Sequence, residues 1–169
     1  MSNKPVIRPT VREDIPAMLA LYNDEILHGT ATLNCTPQTL EQRFAWFEAH
    51  QSKRHISLSA ELDGEFAGFA SLSVFRTAQG YDPCVELSVY VTKNARGKGV
   101  GDTLMTSVID YAKNCGAVNT VVSVITSENA PSIRLHEKHG FTRCGVIPHA
   151  AVKFGKPVDV MLYVLDVRA

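Results

Sequence analysis

The chain has 169 residues, 45% hydrophobic and 20% charged, with 17 basic side chains balancing 17 acidic ones. That length suits a single domain burying roughly two-thirds of its unfolded surface, and zero net charge removes the electrostatic case for nucleic acid or an anionic membrane as the main partner. No apolar run approaches the ~20 residues of a membrane span, MSNKPVIRPT lacks the apolar centre of a secretion signal, and Cys35, Cys84, Cys115 and Cys144 form no C-x-x-C pair, so reduced, partly buried thiols in a cytoplasmic setting are expected.

In chain order, PVIRPT reads as a short first strand. Thr10-Val11-Arg12-Glu13 matches a capping box, and Ile15, Met18, Leu19, Tyr22 and Ile26 follow at helical spacing, predicting a helix to about His28. Thr36-Pro37 predicts a second helix start, continued by Leu40, Phe44 and Phe47. HISLSAEL and EFAGFASLSVF alternate and flank Asp63-Gly64, a hairpin signal. CVELSVYV is a further strand. Val100, Leu104, Val108 and Ala112 share a helical face, TVVSVIT is a strand, APSIRLHEKHG a short helix closed by Gly140, and VDVMLYVLDV a last strand, with room for another at residues 142–147. The order β-α-α-β-β-β-α-β-α-β predicts a mixed α/β sheet in one layered domain, spanning 1–169.

Between CVELSVYV and the third helix lies NARGKGVGDTL, with three glycines in five positions. A dinucleotide fingerprint fails, because Asp102 stands where its last glycine belongs, and a P-loop fails at Thr92 and Gly99. What survives is Arg96-Gly97-Lys98-Gly99-Val100-Gly101, an R/Q-x-x-G-x-G/A pattern. Small residues there let backbone amides face a pyrophosphate at a helix start. Arg96 and Lys98 add charge.

VELSVYVTKNARGKGVGDTLM, with NAPSIRLHEKHGF downstream, resembles the GNAT N-acetyltransferase superfamily, whose acetyl-CoA pyrophosphate loop carries this glycine motif. Within it, the order VE-x-SVYV, RGKG-x-G, N-x-x-SI-x-LH-x-x-x-GF and KFG-x-x-x-D is similar to the phosphinothricin and methionine sulfone/sulfoximine acetyltransferase group. The resemblance covers nearly the whole chain. It implies the GNAT acyl-CoA N-acyltransferase fold, acetyl-CoA as co-substrate with no metal, a small-molecule amine as acceptor, and a homodimer. It further implies that Ser88, Val89, Tyr90 and Val91 contact the acetyl and pantetheine end of the cofactor. Arg96 to Gly101 hold its pyrophosphate and Asn129 its pantetheine arm. A bulge in the CVELSVYV strand would free amides for the acetyl oxygen.

The chemistry needs a neutral amine. One with a pKa near 10.4 is deprotonated in about one molecule in 2,500 at pH 7, a deficit of ~4.6 kcal/mol. Glu86, in the strand entering the glycine loop, is the candidate general base. By parity it shares a face with Ser88 and Tyr90, and a solvent-facing glutamate is the plainer alternative. The resemblance places Val85, Glu86 and Leu87 against the acceptor, together with Phe75, Arg76 and Thr77. Arg76 would grip an amino-acid carboxylate, or be a solvated surface arginine. VKFGKPVDV, residues 152–160, matches a hairpin walling the acceptor site, with Pro157 where the group carries an aromatic ring. Asn129 could equally be an ordinary helix cap. His136 stands where many GNAT enzymes have a tyrosine that protonates the departing thiolate, so it is either a general acid or a polar packing residue. His136 and His139, at i,i+3, lack the spacing of a metal pair. Two rival readings share the fold: a protein or peptide N-terminal acetyltransferase, and a non-catalytic acetyl-CoA sensor. A third is a nucleotide-binding enzyme.

Overall fold

The structure is a computed structural model that describes residues 4–168, so Met1–Asn3 of the opening segment lie outside the described residues. Seven strands form one sheet in the order β1-β2-β3-β4-β5-β7-β6: β1 (Val6–Pro9), β2 (Ile56–Leu62), β3 (Glu65–Val74), β4 (Cys84–Val91), β5 (Thr120–Thr126), β6 (Thr142–Lys153) and β7 (Lys156–Asp166). Only β4 and β5 run parallel. Four helices connect them: α1 (Ile15–His28), α2 (Leu40–Ala49), α3 (Val100–Asn114) and α4 (Ala130–Lys138). The predicted order holds, with β6 as the extra strand.

Each sheet face has its own core. Val85 and Leu87 of β4 join Leu72, Leu104, Met105, Val108 and Tyr163 on the α3 side. Tyr90 of β4 and Phe69 of β3 meet Ile15, Met18, Leu21, Tyr22 and Ile26 of α1 on the other. Strand alternation therefore sends Glu86, Ser88 and Tyr90 toward α1 and α2, as parity predicted.

Both predicted caps are displaced. Thr10 is buried and its hydroxyl bonds those of Ser57 and Ser59. The turn before α1 is instead closed by Asp14, whose carboxylate accepts the Val11 amide at 2.9 Å. α2 begins at Leu40 rather than after Thr36. Its box is Thr39 with Gln42, each side chain accepting the other's amide, while the Gln38 amide is held outside the helix by Asn23. α2 also departs from the usual apolar anchoring, since its one buried residue is Arg43. That guanidinium lies 3.9 Å from the Trp46 ring centroid and 4.6 Å from that of Tyr22, contacts of about 0.5–2 kcal/mol each. Burial pushes its pKa down to about 10, so it stays charged at neutral pH.

The Asp63-Gly64 turn has both residues at positive φ, a two-residue hairpin as predicted. The thiols of Cys35 and Cys144 are exposed, and those of Cys84 and Cys115 half-buried. No helix among the described residues is long and apolar enough to cross a membrane.

Candidate active site

The site is made by two strands parting. β4 and β5 pair at Cys84–Thr120, Val85–Val121 and Glu86–Val122, and the ladder stops there. β4 keeps β3 in unbroken register up to Val91, and β5 keeps β7 up to Thr126. Beyond Glu86 the facing edges of the two strands therefore have no strand partner. The Ser123 hydroxyl donates to the Leu87 carbonyl at 3.4 Å, at the base of the fork. The bulge expected in β4 is absent. Divergence from β5 frees the same backbone groups without one.

The fork opens into a cleft of about 710 Å³, lined by Leu87 to Val91 on one wall and Ser123 to Thr126 on the other. Across its outer end lies the glycine loop. Gly97 and Gly99 have φ of 73° and 81°, a region L-residues enter at a cost. α3 starts at Val100, and Thr103 donates to the Gly99 carbonyl. The amides of Val100, Gly101 and Asp102 thus precede the hydrogen-bonded ladder, at the positive end of the helix dipole. Such a terminus suits a phosphate. The Val100 side chain is buried in the core, so only its backbone serves the cleft. A Cβ at Gly101 would lie 3.5 Å from Leu135 and 3.6 Å from Val91, ordinary contact distances, so the position has room for alanine, as the G/A of the pattern allows.

The charge expected from the loop is partly engaged already. Arg96 donates to Glu25 at 2.7 Å and to the Val91 carbonyl at 3.3 Å. Lys93 pairs with Asp24 at 2.8 Å. Both acids belong to α1 and line the cleft. Gly29 explains how Glu25 fits: its carboxylate folds over that residue, where a Cβ would stand 1.8 Å from Oε2. Lys98 is exposed and does not form part of the cleft wall.

Asn129 lines the cleft and also caps α4, its Oδ1 accepting the Ser132 amide at 3.3 Å. His136, two turns along, is 3% exposed. Its Nδ1 lies 2.7 Å from the Ser132 carbonyl, which can only accept, so that nitrogen carries the proton. Nε2 is buried and without a hydrogen-bond partner. Burial pushes the imidazole down to about 4, so at neutral pH the ring is uncharged. The ring's one N–H is thus committed to Ser132, and Nε2 is left as an acceptor.

The expected acceptor residues lie below the fork. Glu86 sits at the last rung of the parallel ladder, half-buried, one residue before the cleft wall begins. Desolvation raises its pKa, and the charge of Arg76 opposes that shift. The side chains of Val85 and Leu87 lie on the opposite sheet face from Glu86, while Leu87 also borders the cleft. Both are buried in the α3-side core, 0% and 3% exposed, because strand alternation points them away from Glu86. Arg76 and Thr77 are exposed, and Arg76 stands over the Phe75 ring at 5.3 Å.

The 152–160 hairpin forms, turning at Phe154-Gly155 with both residues at positive φ. It is tied down by Lys153, a buried cation that donates to the carbonyls of Ile26 and Asn34. Lys153 is the first residue of the KFG-x-x-x-D run, but nothing in that pattern gives its ammonium a role, and Glu25 belongs to no motif. Among the described residues no three His, Cys, Asp or Glu side chains gather as a metal site.

Fork, free helix terminus and glycine loop together define an acyl-CoA-type transferase cleft, and comparison with known proteins agrees. The profile of the acetyltransferase (GNAT) family matches residues 17–141, and the chain belongs to that family; it is an N-acetyltransferase. It is 38% identical to an L-methionine sulfoximine/L-methionine sulfone acetyltransferase of Salmonella typhimurium, over 91% of this chain and 90% of the other. It is 32% identical to a phosphinothricin N-acetyltransferase of Streptomyces coelicolor, over 93% of each. A solved structure of yncA, a putative acetyltransferase from Salmonella typhimurium with its cofactor acetyl-CoA, superposes with a TM-score of 0.92 at 37% identity, over 98% of this chain and 95% of that one.

Proposed function

We propose that this chain transfers the acetyl group of acetyl-CoA to the α-amine of a small amino acid or analogue of the methionine sulfoximine, methionine sulfone or phosphinothricin type, with Glu86 as general base. The observation that carries the reading is the position of Glu86. It is a half-buried carboxylate with a raised pKa at the last rung before β4 and β5 part. A base poised there, nearer neutrality than a solvated glutamate, is suited to draw a proton from an ammonium. The names of the relatives support the acceptor class.

The residues divide the work. The amides at the start of α3 and the Arg96 side chain would hold the pyrophosphate, and the open edges of β4 and β5 would hold the pantetheine arm and the acetyl oxygen. Arg76 would take the acceptor's carboxylate. Glu86 removes the ammonium proton; the amine nitrogen then bonds the thioester carbon, the C–S bond breaks, and CoA leaves as a thiolate that takes up, through solvent, the second proton the nitrogen sheds. A thiol of pKa near 8.5 leaves readily without a dedicated acid. The Nε2 lone pair of His136 would accept a hydrogen bond from the pantetheine end, giving a buried acceptor its partner. We carry the homodimer and a cytoplasmic setting as parts of the same proposal.

The test is a free-thiol release assay with acetyl-CoA over amino acids, their sulfone, sulfoximine and phosphinate analogues, polyamines and short peptides. Turnover confined to the free amino-acid analogues is expected. Peptides acetylated in preference would favour N-terminal acetylation instead, and acetyl-CoA binding without turnover on any amine would favour a sensor.

A further inference from the structure

We propose that His50 and Ser73 act together as positioning residues for Glu86, by holding the Ser73 proton away from its carboxylate. The inference rests on the reading of Glu86 as the base. His50 follows the last turn of α2 and is 7% exposed. Its Nδ1 is 2.7 Å from the Trp46 carbonyl, so the proton is on that nitrogen. Nε2 is then bare and accepts the Ser73 hydroxyl at 2.8 Å. The ring is fixed further by stacking on the Trp46 indole, centroids 3.9 Å apart and planes 25° apart.

Ser73 is the β3 residue paired directly with Glu86 of β4. Opposed residues on one face have Cβ atoms about 5 Å apart, within reach of a serine–carboxylate hydrogen bond. A hydroxyl donated to Glu86 would stabilise the charged form and weaken the base. Here that proton goes to His50, and among the described residues nothing donates a hydrogen bond to Glu86. The other neighbours are few. Arg76 supplies the charge acting on Glu86, and β5 presents Val122 on the same rung. Arg43 of α2 and His55 beyond it both disfavour a proton on His50. Burial pushes that imidazole down to about 4, so it remains an acceptor wherever the enzyme has its base.

The test is the pH dependence of kcat/KM for wild type, His50→Leu, Ser73→Ala and the double variant. In His50→Leu the freed hydroxyl turns to Glu86, and the acid limb moves down by about one pH unit. Ser73→Ala keeps the limb where it is, and the double variant returns it to the wild-type position. An unmoved limb in His50→Leu, or the same shift with Ser73 absent, would overturn the proposal. Independently of how the variants fold, 15N spectra of the wild-type imidazole should show a protonated Nδ1 and a bare Nε2 from pH 5.5 to 8. A protonated Nε2 or a titration in that range would equally overturn it. Full turnover in Glu86→Gln removes the base itself; loss of turnover there with an unmoved limb in His50→Leu removes only this inference.

Discussion

A carboxylate held where burial disfavours its charge weakens the fold it belongs to, and the proposed base is one. Glu86 has a raised folded pKa, so the native state binds its proton more tightly than the unfolded chain does. Its cost is full above the folded pKa and vanishes below the unfolded value of about 4.3. Glu86→Gln is therefore expected to raise the melting temperature at pH 8, and the gain should disappear by pH 4; thermal melts at both pH values check this. Glu25 makes a second case. It places a carboxylate on the wall of a cleft built for an anion, and its partner is Arg96. Glu25→Gln is expected to tighten acetyl-CoA binding by roughly two- to fivefold, since one opposing charge is removed at short range; titration calorimetry reads the change. Glu86 was legible as an acid interrupting an apolar strand. Glu25 was not, because its role comes from a fold-back over Gly29 and a partner 71 residues away.

Among elements, those bounded by strong local chemistry were readable. α3 and its glycine start, β4, β5 and the Asp63-Gly64 hairpin fall where spacing and turn residues put them. The failures have local causes. Thr10 and Thr36 looked like caps, but Thr10 was claimed by hydroxyls from β2 and Thr36 was bypassed for Thr39. β6 runs to Lys153 rather than ending near residue 147. An outer strand exposed along most of its length carries no alternation to read. The fork was invisible too, since where two parallel strands separate depends on β7 and β3 holding them from outside. Gly68 shows how tightly β3 holds β4. A Cβ there would lie 2.4 Å from the Tyr90 carbonyl oxygen, which is backbone and cannot swing away. Gly68→Ala is expected to cost ~2–3 kcal/mol by urea unfolding and to weaken acetyl-CoA binding, because the wall from Ser88 to Val91 shifts with it.

At the scale of the molecule, the sheet separates two jobs. The α3 face carries the glycine loop and the larger apolar core, while the α1–α2 face carries Glu86, its serine–histidine pair and an aromatic cluster around Arg43. Two histidines are buried neutral, one on α4 and one beyond α2, each pushed down to about 4. Because the unfolded chain takes up those protons first, the stability these two rings contribute should be full above pH 6.5 and fall as pH drops toward 4, by up to about 3 kcal/mol for each ring, outweighing the opposite change at Glu86. Urea midpoints from pH 7 to 5 should decline, and His136→Phe should flatten the decline. Such a slope would leave the chemistry untested. The most direct measurement of the central claim compares Glu86→Gln with wild type in thiol release and in acetyl-CoA binding. Turnover lower by 100-fold or more is expected, as for loss of a general base, with the acetyl-CoA Kd changed less than twofold. Turnover within a few-fold of wild type would contradict the claim.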